Sequence, residues 1–233
     1  MERKLDLHVH SQASPDGRMT LEEITAAARA KGLSGVAVCD HDAVLDHIPD
    51  TPGFLVIPGT EVSTDRGHLL GLFVTKPIRE KDFFVAADAI RAQGGIAVLA
   101  HPYQKPGADP EDLAGHLDGV ETQNSRAARK VPTANDLAAA FAHRHGLRPF
   151  AGSDAHVAEE IGGSVTVIDT KELTTEAVRA ALLDGTARTE GTDGKSRHVA
   201  ASQWTKLRKT RAGFGAYGKW LLFAAKCWLQ DLF

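Results

Sequence analysis

Asp6-Leu7-His8-Val9-His10-Ser11 lies close to the start of a chain of 233 residues, and its reading governs the rest. In an extended strand successive side chains alternate faces, so His8 and His10 point the same way while Leu7 and Val9 face a core. Two imidazoles on one face can share an ion. A solvated strand that happens to carry two histidines has the same spacing. What favours metal ligation is the recurrence of histidines and carboxylates just after other runs that read as buried strands.

Downstream of this stretch, short apolar runs alternate with helical patterns, the signature of βα units around a mostly parallel sheet. Thr20-Leu21-Glu22-Glu23 has capping-box spacing and opens a helix through Ile24 and an alanine-rich stretch that Gly32 stops. Gly35-Val36-Ala37-Val38-Cys39 reads as a buried strand ending on Asp40-His41-Asp42. A link with Pro49 and Pro52 leads to a third strand, Phe54 to Ile57, that ends at Pro58-Gly59-Thr60-Glu61. His68 starts a fourth strand running to Val74. Residues 82–93 read as a helix, and Ile96 to Ala100 as a buried strand ending on His101-Pro102. Gly119-Val120-Glu121 is a short strand followed by a basic loop with Arg126, Arg129 and Lys130. Thr133 to His145 reads as a helix stopped by Gly146, after which Pro149 to Gly152 leads into Ser153-Asp154-Ala155-His156. Residues 164–168 are a β-branched run, and 174–184 a last helix at the side of the barrel.

A chain of this length with 42% hydrophobic residues buries a full core and fits one α/β barrel-sized domain, residues 1–194, followed by a tail, residues 195–233. Cys39 and Cys227 stand far apart, which argues against a disulfide framework or a thiolate zinc site. With no basic and apolar signal ahead of the first strand, the expected compartment is the cytoplasm. The net charge of −3 conceals a split: the tail holds eight Lys and Arg against one acid, Asp231, leaving 19 basic against 29 acidic side chains, or −10, in the first 194 residues. So acidic a body argues against extended nucleic-acid tracking, which needs a basic stripe, although the basic tail could partly restore it.

In barrels of parallel strands the carboxyl ends open on one face, where loops place the chemistry. His8, His10, His41, Glu61, His101, Asp154 and His156 all read as standing at such ends. Asp16, in the turn after the first strand, and His68 can reach the same mouth. Six imidazoles and three carboxylates make a nitrogen and oxygen set suited to manganese, iron or zinc more than to magnesium or calcium. Nine ligands exceed the needs of one ion, so two or three divalent ions are expected.

These motifs resemble the polymerase and histidinol phosphatase (PHP) family of phosphoesterases. The resemblance runs from Asp6 to about Thr170 on His8-x-His10, Ser14-Pro15-Asp16-Gly17, Asp40-His41-Asp42, Gly59-Thr60-Glu61, the lone His68, Ala100-His101-Pro102 and Gly152-Ser153-Asp154-Ala155-His156. It implies a distorted (β/α)7 barrel with a two- or three-metal centre. By the family pattern His8, His10, Glu61 and Asp154 would hold one ion, Asp16, His41 and His156 a second, and His68 and His101 a third that Glu61 bridges. Glu121 and Asn124 also match a stretch common between the last two ligand motifs, without an assigned role. One departure is informative. Members that act on small nucleotides or trim RNA ends often carry a helical cap between the lone His and the Ala-His-Pro motif. Here 32 residues separate His68 from His101, room for a strand, a helix and a strand only.

The chemistry follows from charge. Three divalent ions and three carboxylates leave a formal charge of about +3, which attracts a phosphate ester. Paired ions activate water and hold the attacking and leaving oxygens of an in-line displacement, so a metal-bridging hydroxide serves as nucleophile and no Ser or Cys is needed. The expected activity is hydrolysis of a phosphomonoester on a small metabolite or nucleotide. The alternatives are an exonuclease or phosphodiesterase at DNA or RNA ends, and a non-catalytic binding module, which the complete ligand set disfavours. Asp42 or a metal-bound water is the candidate general acid, and Arg126, Arg129 and Lys130 are candidate phosphate contacts. His47, His116, His143, His145 and His198 read as structural or surface residues and Cys39 as a core residue. Asp6 shares the face of His8 and is a candidate to orient a ligand imidazole.

In the tail, Trp204 to Arg211 is basic, and Lys219 to Phe233 is apolar nearly all round on a helical wheel. It is too short and too charged to span a bilayer. It is expected to pack on the barrel or a second copy of the chain, to anchor at the inner face of a membrane through Trp, Phe and flanking cations, or, as a lesser alternative, to contact nucleic acid.

Overall fold

Leu5 and Leu7 on β1 (Glu2–Val9) are fully sequestered and meet Ala37, Cys39, Ile57, Leu70, Leu72, Val98 and Phe150 from other strands in one interior cluster. That cluster is the inside of a nearly closed, barrel-shaped sheet in a computed structural model that describes residues 1–49 and 51–232. The order of elements is β1, α1 (Leu21–Ala30), β2 (Gly35–His41), β3 (Leu55–Thr64), β4 (Gly67–Leu72), α2 (Phe83–Ala92), β5 (Ile96–Leu99), β6 (Gly119–Asn124), α3 (Ala134–His145), β7 (Arg148–Gly152), β8 (Ser164–Asp169), α4 (Thr175–Leu183), β9 (Arg188–Gly191), α5 (Ser196–Lys209) and α6 (Phe214–Gln230). The strands hydrogen-bond in the order β7-β6-β5-β4-β3-β2-β1-β8-β9. Closure comes from a parallel bridge between Val9 and Ala155, where His10 N donates to Ala155 O at 2.8 Å. Gly152 permits the approach, since a Cβ there would lie 2.3 Å from His8 Cβ.

Local chemistry sets the helix ends where the sequence places them. Thr20 and Glu23 form a reciprocal capping box on α1, Asp82 accepts from two amides at the start of α2, and Thr174 caps α4. Gly146 ends α3 in the left-handed conformation at φ 62°.

The sheet is less parallel than the alternation suggests. β1/β2, β2/β3, β5/β6 and β6/β7 are parallel, whereas β3/β4, β4/β5, β1/β8 and β8/β9 are antiparallel. β3 does not stop at Glu61 but runs on to Thr64 and turns through Asp65-Arg66 into β4. Glu61 is therefore a mid-strand residue, and His68 stands at the amino end of an antiparallel strand, which is the mouth end for that direction. Two further expectations change. Val9 leaves the interior after an irregular register between Asp6 and Val9 and packs under α1 with Ile24 and Val36. Helix α4 is not a side helix, because Val178, Ala181 and Leu182 close the interior cluster. The side helices α2 and α3 instead cover the outer face through Phe83, Ile90 and Phe141.

The tail is a helical hairpin. α6 begins at Phe214, five residues before the expected Lys219, and Phe233 of that expected helix lies outside the described residues. Asp231 accepts from Ser196 N (2.7 Å) and Arg197 N (3.1 Å), so the end of α6 caps the start of α5. Lys209 Nζ donates to the carbonyls of Gln12 (2.7 Å), Ser14 (2.8 Å) and Gly17 (2.6 Å), fastening α5 to the loop between β1 and α1.

Candidate metal centre

All nine expected ligands converge at the mouth. Glu61 is at the centre: its Oε1 lies 2.6 Å from His68 Nδ1 and 3.0 Å from His101 Nε2, and its Oε2 lies 2.9, 3.4 and 3.5 Å from His41 Nδ1, His10 Nε2 and His8 Nε2. Asp154 Oδ1 is 3.4 Å from His10 Nε2 and 3.6 Å from His156 Nδ1. Asp16 Oδ1 is 3.3 Å from His156 Nε2 and 3.6 Å from His41 Nε2. Gly17 allows the loop carrying Asp16 to fold in, since a Cβ there would meet Ser11 O at 2.0 Å.

A second layer fixes how the imidazoles present themselves. His8 Nδ1 is 3.0 Å from Glu121 Oε1, and Glu121 Oε2 accepts from His101 N (2.9 Å) and Asn124 Nδ2 (2.8 Å). His10 Nδ1 is 3.1 Å from Ser14 Oγ, which donates to Asp40 Oδ1 at 2.6 Å. Both Nδ1 atoms are therefore donors, and both Nε2 lone pairs turn to the site. These Nε2 atoms stand 3.1 Å apart. Two lone pairs at that distance repel unless one side carries a proton or both share a cation. Glu61 Oε2 and Asp16 Oδ1 are buried and make no hydrogen bond. Opposed imidazole lone pairs beside unsatisfied carboxylate oxygens fit divalent ions of the nitrogen- and oxygen-binding kind.

The charge balance of the chain agrees. Burial alone would raise the carboxyl of Glu61, but His8, His101, His41 and His68 outweigh it and hold the group well below its usual range. Asp154 is depressed in the same way by His8, His10 and His156 against burial. Burial lowers His41, yet the Glu61 carboxylate beside it lifts it to about 9. Burial likewise opposes charge on His8, but Glu121, Asp154 and Glu61 raise it well above its ordinary value, whereas burial and His156 hold His10 well below. The acids thus demand positive charge at the point where His8 faces His10.

Other expected residues are placed differently. Asp6 does not touch an imidazole. Its carboxylate accepts from Ser153 N (2.9 Å), Ser153 Oγ (2.5 Å), Gly162 N (2.7 Å) and His8 N (3.3 Å), tying the Asp154 loop to β1. Arg126 is buried, and Nε and Nη2 donate to Glu160 at 2.7 and 2.6 Å; Glu160 also accepts from His156 N at 3.0 Å. A guanidinium so committed supports the His156 loop, and Arg126 lines the mouth cavity together with Arg129 and Lys130, so all three expected phosphate contacts stand at the mouth. Asp42 accepts from Ser63 N and Lys81 Nζ, both at 2.9 Å; these outweigh burial and hold its carboxyl below the ordinary value, which suits it poorly to protonating a leaving group. Cys39 lies in the interior cluster, where burial pushes its thiol up. His116 packs on Phe84 and His145 pairs with Glu111, both outside the mouth.

The sequence assigned no role to Ser14 or Asp40, which stand inside the ligand-bearing motifs, and did not single out Glu160. The place of Ser14 and Asp40 beside Asp16 and His41 in those motifs was the one available hint. The mouth opens into a cavity of ≈ 440 Å³ whose walls include Arg129 and Lys130 on one side and Val199, Gln203 and Lys206 of α5 on another. The segment between His68 and His101 holds the rest of β4, α2 and β5 and no cap, and part of the wall comes instead from α5 of the C-terminal hairpin.

A family model described as PHP-associated matches residues 132–187. An uncharacterized protein of Methanocaldococcus jannaschii is 30% identical over 174 residues, covering 69% of this chain and 68% of that protein. A 5'-3' exoribonuclease of Haemophilus influenzae is 38% identical over 81 residues, 31% of this chain and 29% of that enzyme. Among solved structures, a two-domain protein of Bacteroides vulgatus containing a predicted PHP-like metal-dependent phosphoesterase superposes with a TM-score of 0.64 at 21% identity, over 88% of this chain and 70% of that one.

Proposed function

The chain belongs to the PHP family of metal-dependent phosphoesterases, and from that premise we propose that it hydrolyses phosphomonoesters of small anionic metabolites or nucleotides at the barrel mouth. The observation that carries this reading is the pair of imidazole lone pairs facing each other at 3.1 Å beside the unsatisfied oxygens of Glu61 and Asp16. By the family pattern His8, His10, Glu61 and Asp154 would hold one ion, Asp16, His41 and His156 a second, and His68, His101 and Glu61 a third. Divalent manganese, iron or zinc in that set supplies an activated water and neutralises the phosphoryl charge.

The chain's own residues do the rest. Glu121 and Ser14 hold the two imidazoles of His8 and His10 in the tautomer that ligates. Arg129, Lys130 and Lys206, which make no ion pair among the described residues, present positive charge to the part of the substrate beyond the reacting phosphate. The α5 wall limits how far a substrate can extend, which favours a small molecule over a polymer lying across the mouth.

A second reading, removal of nucleotides from a nucleic-acid end, is favoured by the similarity to the exoribonuclease, and a chain end would enter the same cavity. The test is a panel of an aryl phosphate, nucleotides, sugar phosphates and 5'-phosphorylated oligonucleotides assayed with added manganese. Turnover of monoesters with intact oligonucleotide backbones supports the proposal. Release of mononucleotides as the faster reaction replaces it with the second reading, and no turnover of any member after metal loading removes both.

A further inference from the structure

Helix α6 meets the rest of the protein along one face. Ala224 and Cys227, flanked by Trp220 and Phe223, pack against Ala200 of α5, and Trp220 Nε1 donates to Ala200 O at 2.8 Å. The opposite face is apolar and in solvent. Phe214, Leu221, Leu222, Trp228 and Leu229 are 95, 63, 77, 58 and 58% exposed, and Leu232 just beyond the helix is 73% exposed. At 100° per residue these side chains fall within about a third of the helix circumference. So many large apolar groups on one contiguous face mark an interaction surface.

Cations border that face. Lys219 and Lys226 line one of its edges, and Arg208 in the last turn of α5 and Arg211 in the turn before α6 are exposed. The one acid of the hairpin, Asp231, is engaged at the start of α5. The barrel body is acidic, so this concentration of positive charge is confined to the hairpin.

We propose that the outer face of α6 is a peripheral docking surface for an anionic lipid bilayer. The apolar arc sits among acyl chains while Lys219, Lys226, Arg208 and Arg211 meet anionic headgroups. The charge pattern chooses this occupant over a second copy of the chain. A two-fold contact through this face sets the same lysines against each other with no carboxylate to pair them. Among the described residues no helix is long and apolar enough to cross a membrane, so contact by these helices stays within the interfacial layer.

The full chain is mixed with vesicles of phosphatidylglycerol and phosphatidylcholine, or of phosphatidylcholine alone, and sedimented at low and high salt. Expected are binding to the anionic vesicles at low salt, weaker binding at high salt, and quenching of Trp emission by brominated acyl chains. Two double variants on exposed positions, Leu222→Ser with Leu229→Ser and Lys219→Glu with Lys226→Glu, should each lower partitioning about tenfold or more with unchanged circular dichroism. A wild-type chain that ignores anionic vesicles overturns the proposal, as does binding that survives both double variants. A dimer that dissociates in the leucine variant, with no lipid binding by the wild type, assigns the face to a second copy instead.

Discussion

At the barrel mouth Glu61, His8 and His10 are almost wholly withdrawn from solvent, whereas on α6 Phe214 and Leu222 stand out in it. The first region buries polar groups and the second exposes apolar ones. Burying charge is costly unless each group is paired or bound to metal, and here each of the six imidazoles at the mouth faces a carboxylate. An exposed apolar face carries no such internal compensation. The mouth is supported by a second layer, and the hairpin is fastened to the barrel through Lys209 on the loop between β1 and α1, Arg126 to Ser202 at 3.3 Å, and the Arg129 guanidinium 5.6 Å over the Phe223 ring. Perturbations at the mouth should therefore be felt throughout the chemistry, while those in the hairpin should be graded and local.

The largest effect is expected from the ligands. His8→Ala or Asp154→Ala should lower turnover of an aryl phosphate by ~10³ or more, since several kcal/mol of charge stabilisation is at stake, and should reduce bound metal measured by elemental analysis. Chelation of the wild type should do the same, with recovery on adding manganese. Wild-type turnover and metal content in both variants would break the contrast at its stronger end.

Next comes the second layer. Glu121→Gln keeps the shape but loses the carboxylate that fixes His8, and a fall of roughly 10–100-fold in metal affinity is expected by titration calorimetry. Unchanged affinity would mean that Glu121 serves only the backbone of His101.

A smaller and more local change is expected at the tether. Lys209→Ala removes a charged donor from three carbonyls, and the docked hairpin should lose ~1–3 kcal/mol. Hydrogen exchange should quicken in residues 196–230 while β1 to β3 stay protected. Global unfolding in step with the hairpin would show that the two regions form one cooperative unit.

The smallest effect belongs to the wall. Lys206→Ala should raise KM a few-fold for substrates with a second anionic group and leave kcat nearly unchanged, because an exposed charge contributes only ~0–1 kcal/mol. A fall in kcat with unchanged KM would place Lys206 in the chemistry itself.

That these nine side chains would gather at one mouth was legible because metal chemistry restricts residue type and strand geometry restricts spacing: His8 and His10 two apart, His101 directly after an apolar run, and Asp154 and His156 just beyond another. The caps at Thr20 and Gly146 were legible for a similar reason, since each satisfies backbone groups within a few residues. What the sequence could not decide depends on neighbours far along the chain. That Arg126 is spent on Glu160, that Glu121 reaches His8, and that β3 continues past Glu61 to pair with β4 all follow from contacts whose partners carry no local signal. The hairpin shows the limit most plainly. Its composition determined that residues 219–232 must bury apolar surface against something, but only the tertiary structure decided which face meets α5 and which faces outward, because a helix apolar nearly all round has no amphipathic pattern to orient it.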